Sequence, residues 1–204
     1  MTKSLNEIKH LFENKSYLIR GEFINEYDFN DDYFEYYRKF IIDSKELSDH
    51  LYLSDLIDLS GWLGIYDEEL QHRWFSYLFD RKHYVVKLAV LNYFIYCKEI
   101  KLGNLYEEKL KNLLSDRLLQ IVRAQILFNL FSLNAKESEL YVDQLIYLLS
   151  HTNDWRIYYR ILSNIKEVEI EDNYKKAICS EFASLANQSK LNVDALSLFK
   201  EVCK

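Results

Sequence analysis

The sequence predicts an all-α protein built from stacked helical hairpins, and three observations lead there. A motif recurs: Asp80 runs through five residues to Val86-Lys87, and 36 positions later Asp116 runs through five residues to Val122-Arg123. A fainter third copy ends in Asp154-Trp155-Arg156. Self-similarity at intervals of about 20–50 residues marks units that bury their apolar faces only against neighbouring copies. The 204-residue chain also has no proline and four glycines, Gly21, Gly61, Gly64 and Gly103, so the residues that interrupt helices and build hairpin turns are scarce. Finally, apolar residues recur at helical spacing: Tyr84, Leu88, Leu91 and Ile95, then Leu119, Val122, Ile126, Leu130 and Leu133, then Tyr141, Leu145, Leu148 and Leu149.

Taken in order, the pattern gives a helix near 5–14 opened by Ser4 and Glu7 in capping-box spacing, then a less regular stretch at 16–29. Paired helices follow at about 31–43 with 47–64, 67–79 with 82–98, 105–115 with 117–133, 138–150 with 154–167 and 172–187 with 190–203. Asn104 with Glu107 forms a second capping box, and Asp67, Asp80, Asp154 and Asp172 stand as N-caps ahead of periodic runs. The first helices of the central pairs align through Leu78-Phe79, Leu113-Leu114 and Leu148-Leu149, a period of 35. Without linker punctuation, 1–204 reads as one domain: an acidic part at 1–66, the best-matching repeats at 67–167 and a capping hairpin at 168–204.

Cys97, Cys179 and Cys203 are odd in number and lack CxxC spacing, so they read as small apolar residues of a reducing compartment rather than a disulfide frame or zinc site. The N-terminal residues contain no apolar signal region, and the greasiest run, Tyr84 to Cys97, contains Lys87 and Asn92. A soluble cytoplasmic protein is the expectation. Its net charge of −6 is uneven: residues 1–69 carry 7 Lys/Arg against 16 Asp/Glu, a net of −9, whereas the remainder carries +3.

The segments DRKHYVVKLA (Asp80–Ala89) and DRLLQIVRA (Asp116–Ala124) resemble HEAT repeats, whose second helix opens with a turn aspartate followed by Val-Arg or Val-Lys. The usual turn proline is missing, and Trp155-Arg156 departs further. The resemblance covers roughly 67–167 and implies a right-handed α-solenoid of about five hairpins with a period near 35 residues. It also implies that each cation pairs with the turn aspartate of its own or an adjacent repeat, Asp80 with Lys87 and Asp116 with Arg123. The alternative for Lys87, Arg123 and Arg156 is a track for phosphates, extended by Arg160 beside Tyr158 and Tyr159.

The segment from Tyr27 to Phe40 is dense in Tyr and Phe within an acidic setting. Either Phe34, Tyr37, Phe40 and Ile41 cap the end of the stack, or part of this aromatic surface contacts a partner steered by the carboxylates. Farther on, Asp55, Asp58 and Trp62 at i, i+3 and i+7 share a predicted helix face. Neither a nucleophile elbow nor HxxxH or HExxH spacing occurs among His10, His50, His72, His83 and His151, so no catalytic residue, metal or cofactor is predicted. Gly61 and Gly64 read as sites of close helix approach.

These features predict a non-enzymatic binding protein that neutralises a basic partner. In size, acidity and lack of motifs the chain is similar to the α-helical immunity proteins of bacterial contact-dependent growth inhibition systems. The expected contact residues are Asp28, Asp31, Asp32, Tyr33, Glu35, Tyr36, Asp55, Asp58 and Trp62. One alternative is a nucleic-acid-binding protein similar to the HEAT-like alkylpurine DNA glycosylases, with a groove lined by Arg123, Trp155, Arg156 and Arg160. Another is a general protein scaffold.

Overall fold

The computed structural model describes Glu35, Arg38, Lys39 and Ile41, and residues 49–203 apart from Arg81, Lys98, Glu99, Lys101, Gly103, Asp116, Arg117, Asn134 and Ala135. These residues form nine helices and no strand: α1 (His50–Trp62), α2 (Glu68–Ser76), α3 (Tyr84–Tyr96), α4 (Asn104–Leu113), α5 (Gln120–Leu133), α6 (Ser138–His151), α7 (Trp155–Glu167), α8 (Asp172–Asn187) and α9 (Val193–Val202). The helix expected near 5–14 and the stretch at 16–29 lie outside the described residues. Of 31–43, only Glu35, Arg38, Lys39 and Ile41 are described, and all four are helical. The chain divides into two compact units, Met1–Gly103 and Asn104–Lys204.

In the first unit α1 packs chiefly on α3. A Cβ at Gly61 would sit 3.4 Å from the Tyr93 Cα, so the missing side chain allows the two backbones to approach. Gly64 has another role. At φ +68° it ends α1 in a left-handed turn, with Gly64 N–H donating to Gly61 O at 3.1 Å and Ile65 N–H to Ser60 O at 2.9 Å. Polar tips in this core are bonded: the Trp74 indole donates to Ser60 Oγ at 3.2 Å and the Tyr93 hydroxyl to Ile65 O at 2.8 Å. Burial pushes the Tyr93 phenol far above its ordinary pKa, and the neighbouring Cys97 adds to the effect.

In the second unit, α5 packs chiefly on α6 and also on α7, α7 packs on α9, and α6 packs on α8. Helix α5 buries ten of its 14 residues, which explains why its sequence is apolar nearly all round. Two of those ten, Gln125 and Asn129, are polar, and a network satisfies them. Gln125 Nε2 donates to Asn129 Oδ1 at 3.1 Å, and Asn129 Nδ2 donates to the Tyr106 hydroxyl at 2.9 Å. Gln125 Oε1 accepts from Arg160 Nη1 at 3.0 Å and Asn164 Nδ2 at 3.1 Å, so a single amide ties α5 to α7. At the next turn Ser138 Oγ donates to Phe131 O at 3.0 Å.

Asp67 and Asp154 cap α2 and α7, accepting from Glu69 N at 3.0 Å and Arg156 N at 3.1 Å. Two other expected caps are corrected. His83, not Asp80, is the N-cap of α3, its Nδ1 accepting from Val85 N at 3.4 Å. Asp172 is the first helical residue of α8, and the Glu171 side chain before it makes no cap bond.

The expectation of free cysteines is corrected as well. Cys179 and Cys203 form a disulfide, while Cys97 is free and buried, its sulfur accepting from Gln71 Nε2 at 3.5 Å. The two paired cysteines lie at similar distances either side of the turn at Ser189, so antiparallel packing of α8 and α9 brings together residues 24 positions apart. Ser189 itself sits at φ +55° where Gly64 sits in the first unit's turn, with Ser189 N–H donating to Ala186 O and Lys190 N–H to Leu185 O, both at 3.0 Å.

Two outcomes follow for stability. Cys179→Ser should lower unfolding free energy by about 3.5 kcal/mol, the value expected for closing a loop of this length. Chemical denaturation checks this, and thiol titration of the unfolded wild type should find one free thiol before reduction and three after. Ser189→Gly should raise stability by roughly 0.5–1 kcal/mol, because relief of left-handed strain exceeds the added unfolded-state entropy. A lower denaturation midpoint in that variant would contradict the strain assignment.

Candidate functional site

Of the acidic and aromatic residues singled out by sequence, Asp28, Asp31, Asp32, Tyr33 and Tyr36 lie outside the described residues. Glu35 is exposed. Asp55, Asp58 and Trp62 do not form one outward face. Asp55 is 5% exposed, because α1 is buried from Leu53 through Ile57 and turns that carboxylate inward among groups that engage it. It is removed from the contact surface. Asp58 is half-exposed and Trp62 is 52% exposed one turn later, and the chain then runs from Gly64 into Asp67, Glu68 and Glu69 at the start of α2. Glu69 pairs at 3.5 Å with Arg73 one turn along.

The cations of the repeated motif have structural partners. Lys87 Nζ donates to Leu78 O at 2.7 Å and Arg123 Nη2 to Leu114 O at 2.6 Å, each spanning nine residues. The partner is therefore a backbone carbonyl at the end of the preceding helix, which a cation satisfies and whose helix dipole it complements. The expected Asp116–Arg123 pair falls on a residue outside the described ones, so the carbonyl bonds are the partners that the structure describes for these two cations.

The third copy uses other chemistry. Arg156 forms a two-pronged pair with its own N-cap Asp154, at 2.9 Å through Nε and 2.6 Å through Nη2, and the guanidinium holds the Asp154 carboxyl below its ordinary pKa. The stabilisation from this pair is present above the ordinary carboxylate pKa and is lost as pH falls through the depressed value. Arg160 binds the buried Gln125 amide. Trp155 is 47% exposed, but the three arginines expected beside it are each engaged and form no free cationic track.

Two arrangements escaped the sequence reading. His50 and His83, 33 positions apart, stack at 4.3 Å between ring centroids. Nevertheless, no group of three or more potential metal ligands occurs among the described residues. The other is a groove of about 440 Å³ between α5 and α6. Its floor is Leu127 and Leu148, and Tyr147 and His151 stand along it with rings stacked at 4.1 Å. Gln120, Arg123, Asp143 and Gln144 contribute polar groups.

No family model, curated protein or solved structure matches this chain. No helix among the described residues is long and apolar enough to cross a membrane.

If the repeated cation is a helix cap, Arg123→Met should lower stability by about 1–2 kcal/mol, the usual worth of a charge-assisted hydrogen bond in a partly buried place. Urea denaturation checks this. A variant as stable as the wild type would return Arg123 to the pool of surface cations.

Proposed function

We propose that the chain is a non-enzymatic protein-binding module that neutralises a basic partner, in the manner of an immunity protein acting on a bacterial nuclease toxin. The supporting observation is half-buried Asp58 standing four residues before the 52%-exposed Trp62, inside a part of the sequence whose net charge is −9 over residues 1–69. A nuclease must present positive charge to phosphates, and carboxylates around a rigid aromatic anchor suit such a surface in both steering and packing. Asp28, Asp31, Asp32, Tyr33, Glu35 and Tyr36 belong to the same proposed surface, and Asp55 does not.

The scaffold in this reading is a right-handed HEAT-like solenoid. Support comes from the alternate packing of α5, α7 and α9 in one series and α6 with α8 in another, and from the nine-residue cation-to-carbonyl bonds at Lys87 and Arg123. The nucleic-acid alternative loses support because Asp154 holds Arg156 and the buried Gln125 amide holds Arg160, so these arginines do not join Arg123 in a continuous cationic groove. A cytoplasmic setting is the part of the proposal against which the Cys179–Cys203 bond argues, since disulfides persist chiefly in oxidising compartments.

The test is titration of the full chain against cationic bacterial nuclease toxin domains, at low and physiological salt, with the variants compared on any domain that the wild type binds. Trp62→Ala should weaken binding by about 2 kcal/mol as a central anchor, and Asp58→Asn should slow association and reduce its salt dependence. Affinity and salt dependence unchanged in both variants would overturn the assignment of this surface.

A further inference from the structure

The groove between α5 and α6 has opposite chemistry at its two ends. Thr152 Oγ1 donates to Gln120 Oε1 at 3.1 Å, which joins the start of α5 to the end of α6, and the bond from Arg123 to Leu114 O draws the guanidinium towards the start of α5. Arg123, Gln120 and His151 therefore share one end. Asp143 lies eight residues before His151 on α6, about 12 Å along the helix axis. The side chains of Asp143 and Gln144 make no hydrogen bond or ion pair with the described residues. Between the ends, Tyr147 is 65% exposed yet held in place by its stack on His151, over a floor of buried Leu127 and Leu148.

An ordered, exposed ring flanked by a cationic end and an unpaired carboxylate is a set of recognition elements, of which only Arg123 has a bond that serves the fold. We propose that this groove binds a nucleoside monophosphate, with guanine the preferred base. The phosphate lies at the Arg123 and His151 end, where the guanidinium has donors beyond the one given to Leu114. The base stacks on Tyr147, a contact available to any flat ring. Its far edge meets Asp143. Guanine presents two adjacent N–H donors there, matching the two oxygens of a carboxylate, whereas adenine presents a single amino group. The volume falls within the range of small-ligand sites, about 300–1,000 Å³. A free anion would leave the Asp143 end empty, and an α-amino acid, with its charges side by side, reaches only one end. The residues concerned lie in the second unit, so this inference is independent of the partner-binding surface around Trp62.

Calorimetric titration of the full chain with GMP, AMP, guanosine and inorganic phosphate tests it. GMP should saturate with a Kd below about 100 μM, and AMP and guanosine should each bind at least about tenfold more weakly. Asp143→Asn should abolish the preference for GMP over AMP while leaving dependence on the phosphate. Tyr147→Ala should weaken both nucleotides about tenfold without changing the thermal melt, since the ring is mostly exposed. No saturation by GMP up to about 1 mM would overturn the proposal, as would inorganic phosphate binding as tightly as GMP, or GMP affinity unchanged in both variants.

Discussion

The buried amide of Gln125 is the constraint on which the second unit depends. It is fully buried at the centre of α5, where an unsatisfied amide costs about 1–3 kcal/mol for each missing bond. Its oxygen is satisfied by Arg160 and Asn164 of α7, its nitrogen by Asn129, and Asn129 in turn by Tyr106 of α4. Apolar contacts between α5 and its neighbours tolerate a shift by one helical turn, because Leu, Ile and Phe occur all along these helices. The amides do not. A shift by one turn would remove every partner at once, so the polar chain fixes which residues of α4 and α7 meet α5. Arg160 is thereby explained as the solvent-side end of a core network.

The repeated cation solves a separate problem. A helix that ends at a tight turn leaves carbonyls without intrahelical donors, and a chain with no proline and few glycines has few compact ways to finish such an end. Lys87 and Arg123, each nine residues beyond the carbonyl they satisfy, supply a donor from the helix that follows. In the third copy the same need arises at the end of α6, and there the buried Tyr158 hydroxyl donates to Thr152 O. The tyrosine carries out the capping, so Arg156 pairs instead with Asp154. What decays along the sequence as a motif is thus retained as a function of the turn.

Much of the architecture was legible because helical spacing is uninterrupted. The helices expected at 138–150, 154–167 and 172–187 appear as Ser138–His151, Trp155–Glu167 and Asp172–Asn187. Caps were legible where a single acceptor precedes a run, as at Asp67 and Asp154, and misread where several compete, as with Asp80 and His83. The other misses involve residues far apart in sequence. Cys179 and Cys203 meet only because α8 and α9 fold back on each other, and Asp55 shares a helical face with Asp58 in a wheel projection that cannot say how many faces of α1 are covered. Gln125 and Asn129 show four-residue spacing, but nothing local reveals that both are buried. The groove was invisible for the same reason, since Arg123 and Asp143 lie on different helices.

Arg123 connects the packing of the second unit with the proposed ligand groove. It closes α4 through Leu114 O and also lines the groove between α5 and α6. A ligand that draws on its remaining donors competes for the orientation of a group already fixed by a structural bond, and this favours ligands that approach without moving it. Fixing the guanidinium in advance removes much of the entropy of ordering a long side chain on binding, which raises affinity for a ligand of matching shape and penalises others. Occupancy in turn stabilises the folded state by mass action, because the groove exists only while α5 and α6 are packed. On the proposed binding mode, stability of this unit and recognition by it are therefore linked through the one side chain of Arg123.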